Sequence, residues 1–238
     1  MTINYHDHTT AVHGGISPEP QTGAIMTPIF QTSTYVQKQP GVHQGFDYSR
    51  ADNPTRQTLE TSLACLEKAK YALSFSSGLA AEQAIVHQLA PGSTVLVCDD
   101  VYGGTGRLFR QLYAKYNINF QFIDMTDDKQ LGAAFREKID LVWVETPTNP
   151  TLKIIDIAEL AKRAKSSGQQ ATLVVDNTFS SPVFQKPLQL GADLVIHSTT
   201  KYMGGHSDLI GGAIMTSNQS WYDQLKFTQF AAGAVPSP

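Results

Sequence analysis

Residues 193–208 read DLVIHSTTKYMGGHSD, and this stretch is central to both the fold and the chemistry of the chain. The apolar run at its start predicts a buried strand, and three hydroxyl residues separate that run from Lys201. A single lysine after a strand is in most proteins a solvated surface residue, because lysine is rarely buried. The hydroxyls before Lys201 and the glycine pair after it favour a second interpretation, in which the amine is held at the mouth of a strand for chemistry.

Six short β-rich runs alternate with helical stretches along residues 71–198. The runs are apolar throughout, which is typical of strands that are buried on both faces. The pattern therefore predicts an α/β fold with a mainly parallel sheet covered by helices on both faces. The runs are YALSF, TVLVCD, FQFID, DLVWVE, TLVVDN and DLVIHS, and the helical stretches are GLAAEQAIVHQLA, TGRLFRQLYAKY, DKQLGAAFREK and IAELAKRAKSSG.

The amino-terminal region differs from this pattern. Stretches such as GGISPEPQTG and QKQPGVHQG contain prolines, glycines and polar residues with little periodicity. We expect residues 1–51 to form an extended arm and residues 52–238 to form the α/β domain.

Charge and composition narrow the possible functions. Lys plus Arg number 18 and Asp plus Glu number 21, and no block of like charge indicates a nucleic-acid or membrane surface. The amino terminus is polar and no stretch approaches a membrane span, so we expect a cytoplasmic protein. Cys65 and Cys98 lie at no metal-ligand spacing, and we expect no metal site. Small-molecule chemistry is favoured.

The residues that close the predicted strands are polar. In parallel α/β sheets ligands bind beyond the carboxyl ends of the strands, so these segments should line one site. Neither GxxxxGK[ST] nor GxGxxG occurs, which disfavours a P-loop enzyme and an ordinary Rossmann dehydrogenase. The segments are SSG (76–78), DDVYGG (99–104), ETPTNP (145–150), DNTF (176–179) and HSTTK (197–201).

These groups together suit one cofactor chemistry. An amine in a partly desolvated pocket loses its proton more easily and can form a Schiff base with an aldehyde, as in pyridoxal 5'-phosphate (PLP) enzymes. Ser198, Thr200 and the helix start in SSGLAA could bind the phosphate. Asp176 closes the neighbouring run and could pair with a protonated pyridine nitrogen.

Several ordered blocks also carry a family resemblance, which covers almost the whole chain. With the lysine segment, they resemble the Cys/Met-metabolism PLP enzymes, the transsulfuration family. The resemblance implies PLP-dependent transferase fold type I, with an aspartate aminotransferase-like large domain. The blocks are YSRADNPTR, SFSSGLAAE, DDVYGGTGRLFRQ, ETPTNPTLKIIDI, VVDNTFSSPVFQKPLQLGADLVIHS and GAVPSP.

The resemblance implies roles for individual residues. Lys201 would hold PLP covalently and, once displaced by substrate, shuttle protons between the α, β and γ positions. Asp176 would pair with the pyridinium and Tyr102 would stack on the ring, which makes these three residues the catalytic set. The implied cofactor-binding residues are Tyr48, Arg50, Gly78, Leu79, Tyr102, Asn149, Asp176, Thr178, Ser198, Thr200 and Lys201.

The residues alone leave other interpretations open. Tyr102 could be a packed aromatic residue and Asn149 a turn residue. Glu145 could be a carboxylate near the site or a hydrogen-bonding group behind it. His197 and His206 are interpreted as structural.

The resemblance also implies an assembly. Tyr48 and Arg50 would reach the phosphate bound by a neighbouring subunit, so we expect a dimer with shared active sites within a tetramer. Family members continue into a carboxyl-terminal domain whose arginine grips the substrate carboxylate. This sequence ends at Pro238 with no arginine after Arg163. We therefore expect that domain to be absent from this chain and turnover by the chain to be low.

The implied substrate is a small amino acid. HQGFDYSRADNPTR and GAVPSP resemble γ-lyases, which predicts cleavage of L-cystathionine by γ-elimination to cysteine, 2-oxobutanoate and ammonia. Two related activities stay open: a γ-synthase that joins O-acylhomoserine to cysteine, and a β-lyase. The alternative outside enzymology is a PLP-binding fragment without turnover.

Overall fold

Seven strands form one sheet in the computed structural model, which describes residues 6–166, 168 and 170–238. The spatial order of the strands is β1-β7-β6-β5-β4-β2-β3. Strand β7 runs antiparallel to both neighbours, and the pairs from β6 to β3 are parallel. In chain order the strands are β1 (Tyr71–Phe75), β2 (Thr94–Cys98), β3 (Asn119–Ile123), β4 (Leu141–Glu145), β5 (Thr172–Asp176), β6 (Leu194–His197) and β7 (Gly212–Thr216).

Helices pack against this sheet, so the prediction of an α/β fold with a mainly parallel sheet is confirmed. Helices α2 (Pro54–Glu67) and α8 (Gln219–Ala232) contact β1, α3 (Gly78–Val86) contacts β7, and α6 (Ile157–Ala164) contacts β5. No helix in the described part of the chain is long and apolar enough to cross a membrane. The shorter helices are α1 (Asp7–His13), α4 (Gly103–Arg107), α5 (Asp128–Ala134) and α7 (Ser181–Phe184), with a π-helical turn at Leu108–Leu112 and 3-10 turns at Tyr113–Tyr116 and Pro187–Leu190.

Polar side chains fix where the main helices begin. Asn53 accepts hydrogen bonds from the amides of the first turn of α2, and Pro54 occupies the first helical position. Ser77 caps α3 in the same way by accepting from the amide of Ala80. This cap sets the direction of α3 directly after β1, at the edge of the sheet where the strand-end segments meet.

The sheet interior is apolar on both faces. Every residue of β4 is buried. The ring of Phe109 meets the buried Trp143 edge-on at 5.2 Å and stacks on Phe120 at 4.7 Å between ring centroids. This two-sided burial is the physical reason why the strands read as continuous apolar runs.

Most of residues 6–51 are exposed. Within this region α1 forms and packs against α2. Farther along, Ile25, Met26 and Val36 are 78%, 81% and 92% exposed. Large apolar side chains with this exposure leave surface that the described chain does not cover.

Candidate active site

A cavity of about 520 Å³ lies beyond the carboxyl ends of the parallel strands. It brings together the five strand-end segments that the sequence predicted to meet. Nine of the eleven predicted cofactor residues line it: Gly78, Leu79, Tyr102, Asn149, Asp176, Thr178, Ser198, Thr200 and Lys201. The other lining residues are Ser77, Glu82, Glu145, Phe179, Ile196 and Ile210.

One end of the cavity is shaped for an anion. The first amides of α3, at Gly78 and Leu79, have no acceptor within the helix, as at any helix start. A Cβ on Gly78 would lie 3.1 Å from the Cβ of Ser198, so glycine allows the helix start and the turn after β6 to approach closely. The amides and the Ser198 hydroxyl therefore face a common space.

Thr200 has a different environment from the one expected of a phosphate ligand. Its hydroxyl donates to the carbonyl of Gly211 at 3.2 Å and accepts from the amide of Gly211 at 3.0 Å. A phosphate bound by this hydroxyl would have to replace the bond donated to the carbonyl. In this structure Thr200 connects the turn after β6 to the start of β7.

Asp176 closes β5 and is buried beneath the cavity. Its Oδ1 accepts hydrogen bonds from the amide of Thr178 at 2.9 Å and from the Thr178 hydroxyl at 2.6 Å. The same hydroxyl accepts from the amide of Ser198 at 2.9 Å, so Thr178 links the carboxylate to the anion end of the site. Oδ2 accepts no bond from the described residues and is the oxygen available to a ligand. Burial raises the pKa of Asp176, and the bonds from Thr178 and the nearby His197 act in the opposite direction.

Lys201 lies on the turn after β6, at the rim of the cavity. Its amide donates to the carbonyl of Ser198 at 3.1 Å, which holds the turn close to the strand end. Its side chain is exposed, whereas the sequence predicted a partly desolvated amine. This difference arises because the turn leaves the side chain at the open rim. The side-chain nitrogen of Lys201 makes no ion pair with any residue that the structure describes, so no carboxylate competes with a ligand for it.

Tyr102 also lines the cavity. Its amide donates to Oε2 of Glu145 at 2.7 Å. A Cβ on Gly104 would lie 2.3 Å from the Tyr102 ring, so the ring occupies space that only glycine leaves open. The position of Tyr102 suits a ring that covers a flat ligand. Asn149 lines the same cavity.

Two buried glutamates also line the cavity. Burial raises the pKa of Glu145 to about 8, with a further contribution from Asp176. The sequence interpretation left open whether Glu145 lay near the site, and the structure places it there. Glu82 was not predicted. Its signal in the sequence is its position four residues after Gly78, which places both residues on one face of α3.

Tyr48 and Arg50 lie outside this cavity. They line a second cavity of about 350 Å³ with Pro236 and Pro238. The Arg50 guanidinium donates to the carbonyl of Phe230 at 2.6 Å and lies over the Tyr48 and Phe230 rings. The predicted contact of these two residues with a neighbouring subunit stays a prediction.

A buried polar cluster supports the strand ends from below. Glu67, at the end of α2, is fully buried, and its Oε1 lies 2.5 Å from Nε2 of His197 and 2.8 Å from Nδ2 of Asn177. These partners flank Asp176 and Ser198 in sequence. The cluster therefore fixes the ends of β5 and β6 relative to α2.

The donor set fits PLP in its chemistry. The anion end matches the phosphate of that cofactor, and the buried carboxylate matches its ring nitrogen. The amine matches its aldehyde, and the aromatic side chain matches the face of its ring. Within residues 6–166, 168 and 170–238, no group of three or more His, Cys, Asp or Glu side chains is placed to hold a metal ion.

Comparison with known proteins gives a consistent result. The chain is 52% identical over 236 residues to "Probable cystathionine gamma-synthase" of Herpetosiphon aurantiacus, covering 99% of this chain and 73% of that protein. It is 51% identical over 236 residues to cystathionine gamma-lyase of Dictyostelium discoideum, covering 99% of this chain and 60% of that protein.

Solved structures agree. The crystal structure of cystathionine gamma synthase from Xanthomonas oryzae pv. oryzae, in complex with aminoacrylate and cysteine, matches with a TM-score of 0.94 and 40% identity, over 99% of this chain and 60% of that one. The chain thus spans about 60% of the length of two of these three proteins. The Cys/Met metabolism PLP-dependent enzyme family matches residues 8–238, and the chain belongs to this family of PLP-dependent enzymes.

Proposed function

We propose that this chain is the PLP-binding part of a transsulfuration enzyme that cleaves L-cystathionine at its γ carbon, giving cysteine, 2-oxobutanoate and ammonia. The observation that carries the proposal is the single cavity in which Lys201, Asp176 and the start of α3 meet. Family membership supports the class of reaction, and the choice of γ-elimination rests on the similarity to γ-lyases.

One cofactor molecule would span this cavity and contact the protein at both of its ends. The amides of Gly78 and Leu79 and the Ser198 hydroxyl would hold the phosphate, and Oδ2 of Asp176 would accept from the ring nitrogen. Lys201 would be the residue of covalent attachment, because it is the only lysine that lines the cavity among the described residues. When bound, PLP supplies an electron sink for bonds broken next to the substrate amino group.

The protein residues would then move protons and exclude water. The amine of Lys201 would be the base for the α proton and would later serve the β and γ carbons, because it makes no competing ion pair among the described residues. Tyr102 would cover the ring face. Its backbone is fixed by the bond to Glu145.

The assembly and location form part of the same proposal. Residues 1–51 would be an arm that contacts a neighbouring subunit and residues 52–238 the PLP-binding domain, in a dimer with shared sites within a cytoplasmic tetramer. The exposed apolar side chains of the arm support this arrangement, because their burial needs another surface.

A γ-synthase is the second candidate. The specific observation in its favour is the 52% identity to the protein of Herpetosiphon aurantiacus that carries that name. A β-lyase would use the same pocket, and a chain that binds PLP without turnover is the remaining alternative.

Two measurements test the proposal on the full chain. Borohydride reduction in the presence of PLP, followed by peptide mapping, should label Lys201, and Lys201→Ala should lose the label while the control Lys226→Ala retains it. A label on another lysine would contradict the assignment. Products from L-cystathionine alone then decide the activity.

Cysteine with 2-oxobutanoate supports γ-cleavage, and homocysteine with pyruvate indicates a β-lyase. Efficient synthesis of cystathionine from cysteine and an O-acylhomoserine indicates a synthase. Labelling of Lys201 without any of these products indicates a binding fragment.

A further inference from the structure

Asn149 lies on the loop that joins β4 to α6, and this loop contains no helix or strand that would hold it. Asn149 lines the 520 Å³ cavity, and its side chain makes no hydrogen bond to the described residues. The position of this side chain therefore depends on the backbone before and after it. The hydrogen bonds of that backbone and of its neighbouring side chains show where the loop is held.

One carboxylate oxygen outside the cavity accepts three hydrogen bonds from this loop. Oδ2 of Asp100 accepts from the hydroxyl of Thr148 at 2.5 Å and from the amide of Thr151 at 2.9 Å. The hydroxyl of Thr151 donates to the same oxygen. The two donor residues stand directly before Asn149 and two residues after it. Asp100 therefore holds the loop on both sides of Asn149.

Asp100 is itself placed by the sheet. It is the second residue after β2, and β2 pairs in parallel with β4, so both strands end at the same edge. Burial raises the pKa of Asp100, whereas the bonds from Thr148 and Thr151 lower it, and the resulting pKa lies below the usual value. The carboxylate is therefore ionised at neutral pH, which strengthens the bonds that it accepts.

The far end of the loop has a separate attachment. The amide of Thr148 donates to the carbonyl of Lys153 at 3.0 Å, and the amide of Lys153 donates to the Thr148 hydroxyl at 2.8 Å. The side chain of Lys153 donates to Asp99 at 3.0 Å and to Asp124 at 2.9 Å. Loss of the Asp100 carboxylate should therefore release the part of the loop around Asn149 while its far end stays attached.

Tyr102 shares a segment with Asp100 but is fixed by a different contact. Its amide donates to Oε2 of Glu145 at 2.7 Å. Removal of the Asp100 side chain leaves this bond intact. Any effect of Asp100 on the cavity should therefore pass through Asn149.

We propose that Asp100 is a positioning residue for the cofactor, whose carboxylate holds residues 148–151 so that the Asn149 side chain is in place before PLP binds. This inference rests on the proposed function. It gives an acid that does not line the cavity a part in the preorganisation of the site, which lowers the entropy cost of binding.

Three variants of the full chain test this role by PLP titration. Asp100→Ala removes the acceptor of all three bonds, and if the released loop holds Asn149 in place about one tenth of the time, apparent affinity falls about tenfold. Asp100→Asn keeps an oxygen that can accept the same bonds and should bind PLP within about threefold of the parent chain. The control Asp127→Ala removes a carboxylate that accepts two amide bonds at the start of α5, and it should bind PLP at the parent affinity.

A double variant locates the effect at Asn149. Asn149→Ala leaves no side chain for the loop to position, so adding Asp100→Ala to it should weaken PLP binding further by no more than about twofold. A loss of about tenfold from Asp100→Ala in both backgrounds would mean that Asp100 acts on another part of the fold, and it would overturn the inference. Binding by Asp100→Asn as weak as that by Asp100→Ala would also overturn it, because an acceptor oxygen would not then hold the loop.

Hydrogen exchange gives a readout that needs no cofactor. The amide of Thr151 donates directly to Asp100, so a peptide covering residues 148–153 should exchange faster in Asp100→Ala than in the parent chain. A peptide that contains Tyr102 should exchange at the parent rate, since its bond to Glu145 is unchanged. Unchanged exchange in residues 148–153 would show that the loop is held without Asp100 and would overturn the inference.

The outcomes separate this inference from the proposed function. PLP binding by Asp100→Ala at the parent affinity removes Asp100 from the site and leaves the proposed function standing. Failure of the parent chain to bind PLP at Lys201 overturns both.

Discussion

Replacing Glu67 should weaken the fold and the cofactor site together. Glu67 is fully buried, and its Oε1 is the shared partner of His197 on β6 and Asn177 after β5. The residues next to these partners are Ser198 and Asp176. The prediction concerns Glu67→Leu, which removes the acceptor while filling most of its volume.

The structure sets the size of the effect. Glu67→Leu leaves the buried His197 Nε2 without a partner, whereas Asn177 keeps its bond to the carbonyl of Gln185 at 3.0 Å. Breaking a buried hydrogen-bonded pair from one side costs about 3–5 kcal/mol. In the native chain Oε2 of Glu67 is itself buried without a partner among the described residues, and its removal offsets part of that cost. We therefore expect a loss of about 3 kcal/mol in the free energy of unfolding.

A double-mutant cycle identifies the interaction. Glu67→Leu combined with His197→Leu removes both partners, so the double variant should be more stable than the sum of the single effects predicts by about 2 kcal/mol. Urea unfolding at one fixed protein concentration measures these values, because assembly would make apparent stability depend on concentration. The exposed Gln57→Leu on the same helix is the control.

The same variant should bind PLP more weakly, since the ends of β5 and β6 lose their common anchor. PLP titration followed by visible absorbance measures this effect. A change in stability below about 1 kcal/mol in Glu67→Leu, or single effects that add within about 0.5 kcal/mol, would refute the reasoning.

Three further predictions concern the cavity and the arm. The pKa of Glu145 is raised to about 8, so the folded chain binds a proton that the unfolded chain releases, and stability falls as pH rises toward 8. Glu145→Gln should therefore lose less stability than the parent between pH 5 and 8 in urea unfolding, and equal slopes would contradict this. Gly78→Ala places a Cβ 3.1 Å from Ser198 and should weaken PLP binding about tenfold with the far-ultraviolet circular dichroism unchanged; binding at the parent affinity would show that the close approach is unimportant. Arg50→Ala should retain PLP poorly, and mixing it with Lys201→Ala should restore some activity in hybrid dimers if the arm reaches a neighbouring site; a mixture no more active than its components argues against sharing.

Most of the sheet could be predicted from sequence because its central strands are buried on both faces. Continuous apolar runs such as LVWVE indicate strands without any knowledge of their partners. The exception is β7, whose sequence GAIMT begins with glycine and follows a glycine-rich turn. A Cβ on Gly212 would lie 2.2 Å from the carbonyl oxygen of Ser77. Glycine is therefore required at this position by a contact that forms only in the folded chain.

The candidate site also contains residues that the sequence predicted and residues whose environment it did not predict. Residues at strand ends were predictable because parallel strands bring their carboxyl ends to one edge of the sheet. Glu82 was missed, although its position four residues after Gly78 places it on the same face of α3. The environment of Thr200 was not predictable, since its bonds to Gly211 depend on how two turns meet.

The electrostatics of the cavity explain why Asp176 is the acid in it that is suited to pair with a cation. The cavity contains three buried carboxyl groups, those of Glu82, Glu145 and Asp176. Burial raises the pKa of each group, and Asp176 raises the pKa of Glu82 and of Glu145 further. Three anions therefore cannot coexist there at low cost. Asp176 alone accepts two hydrogen bonds on one oxygen while its other oxygen stays available. A ligand that stabilises this arrangement must bring a cation to Asp176 and an anion to the start of α3. The protonated ring and the phosphate of PLP carry these charges at opposite ends of one rigid molecule, which is the physical basis of the proposed binding mode.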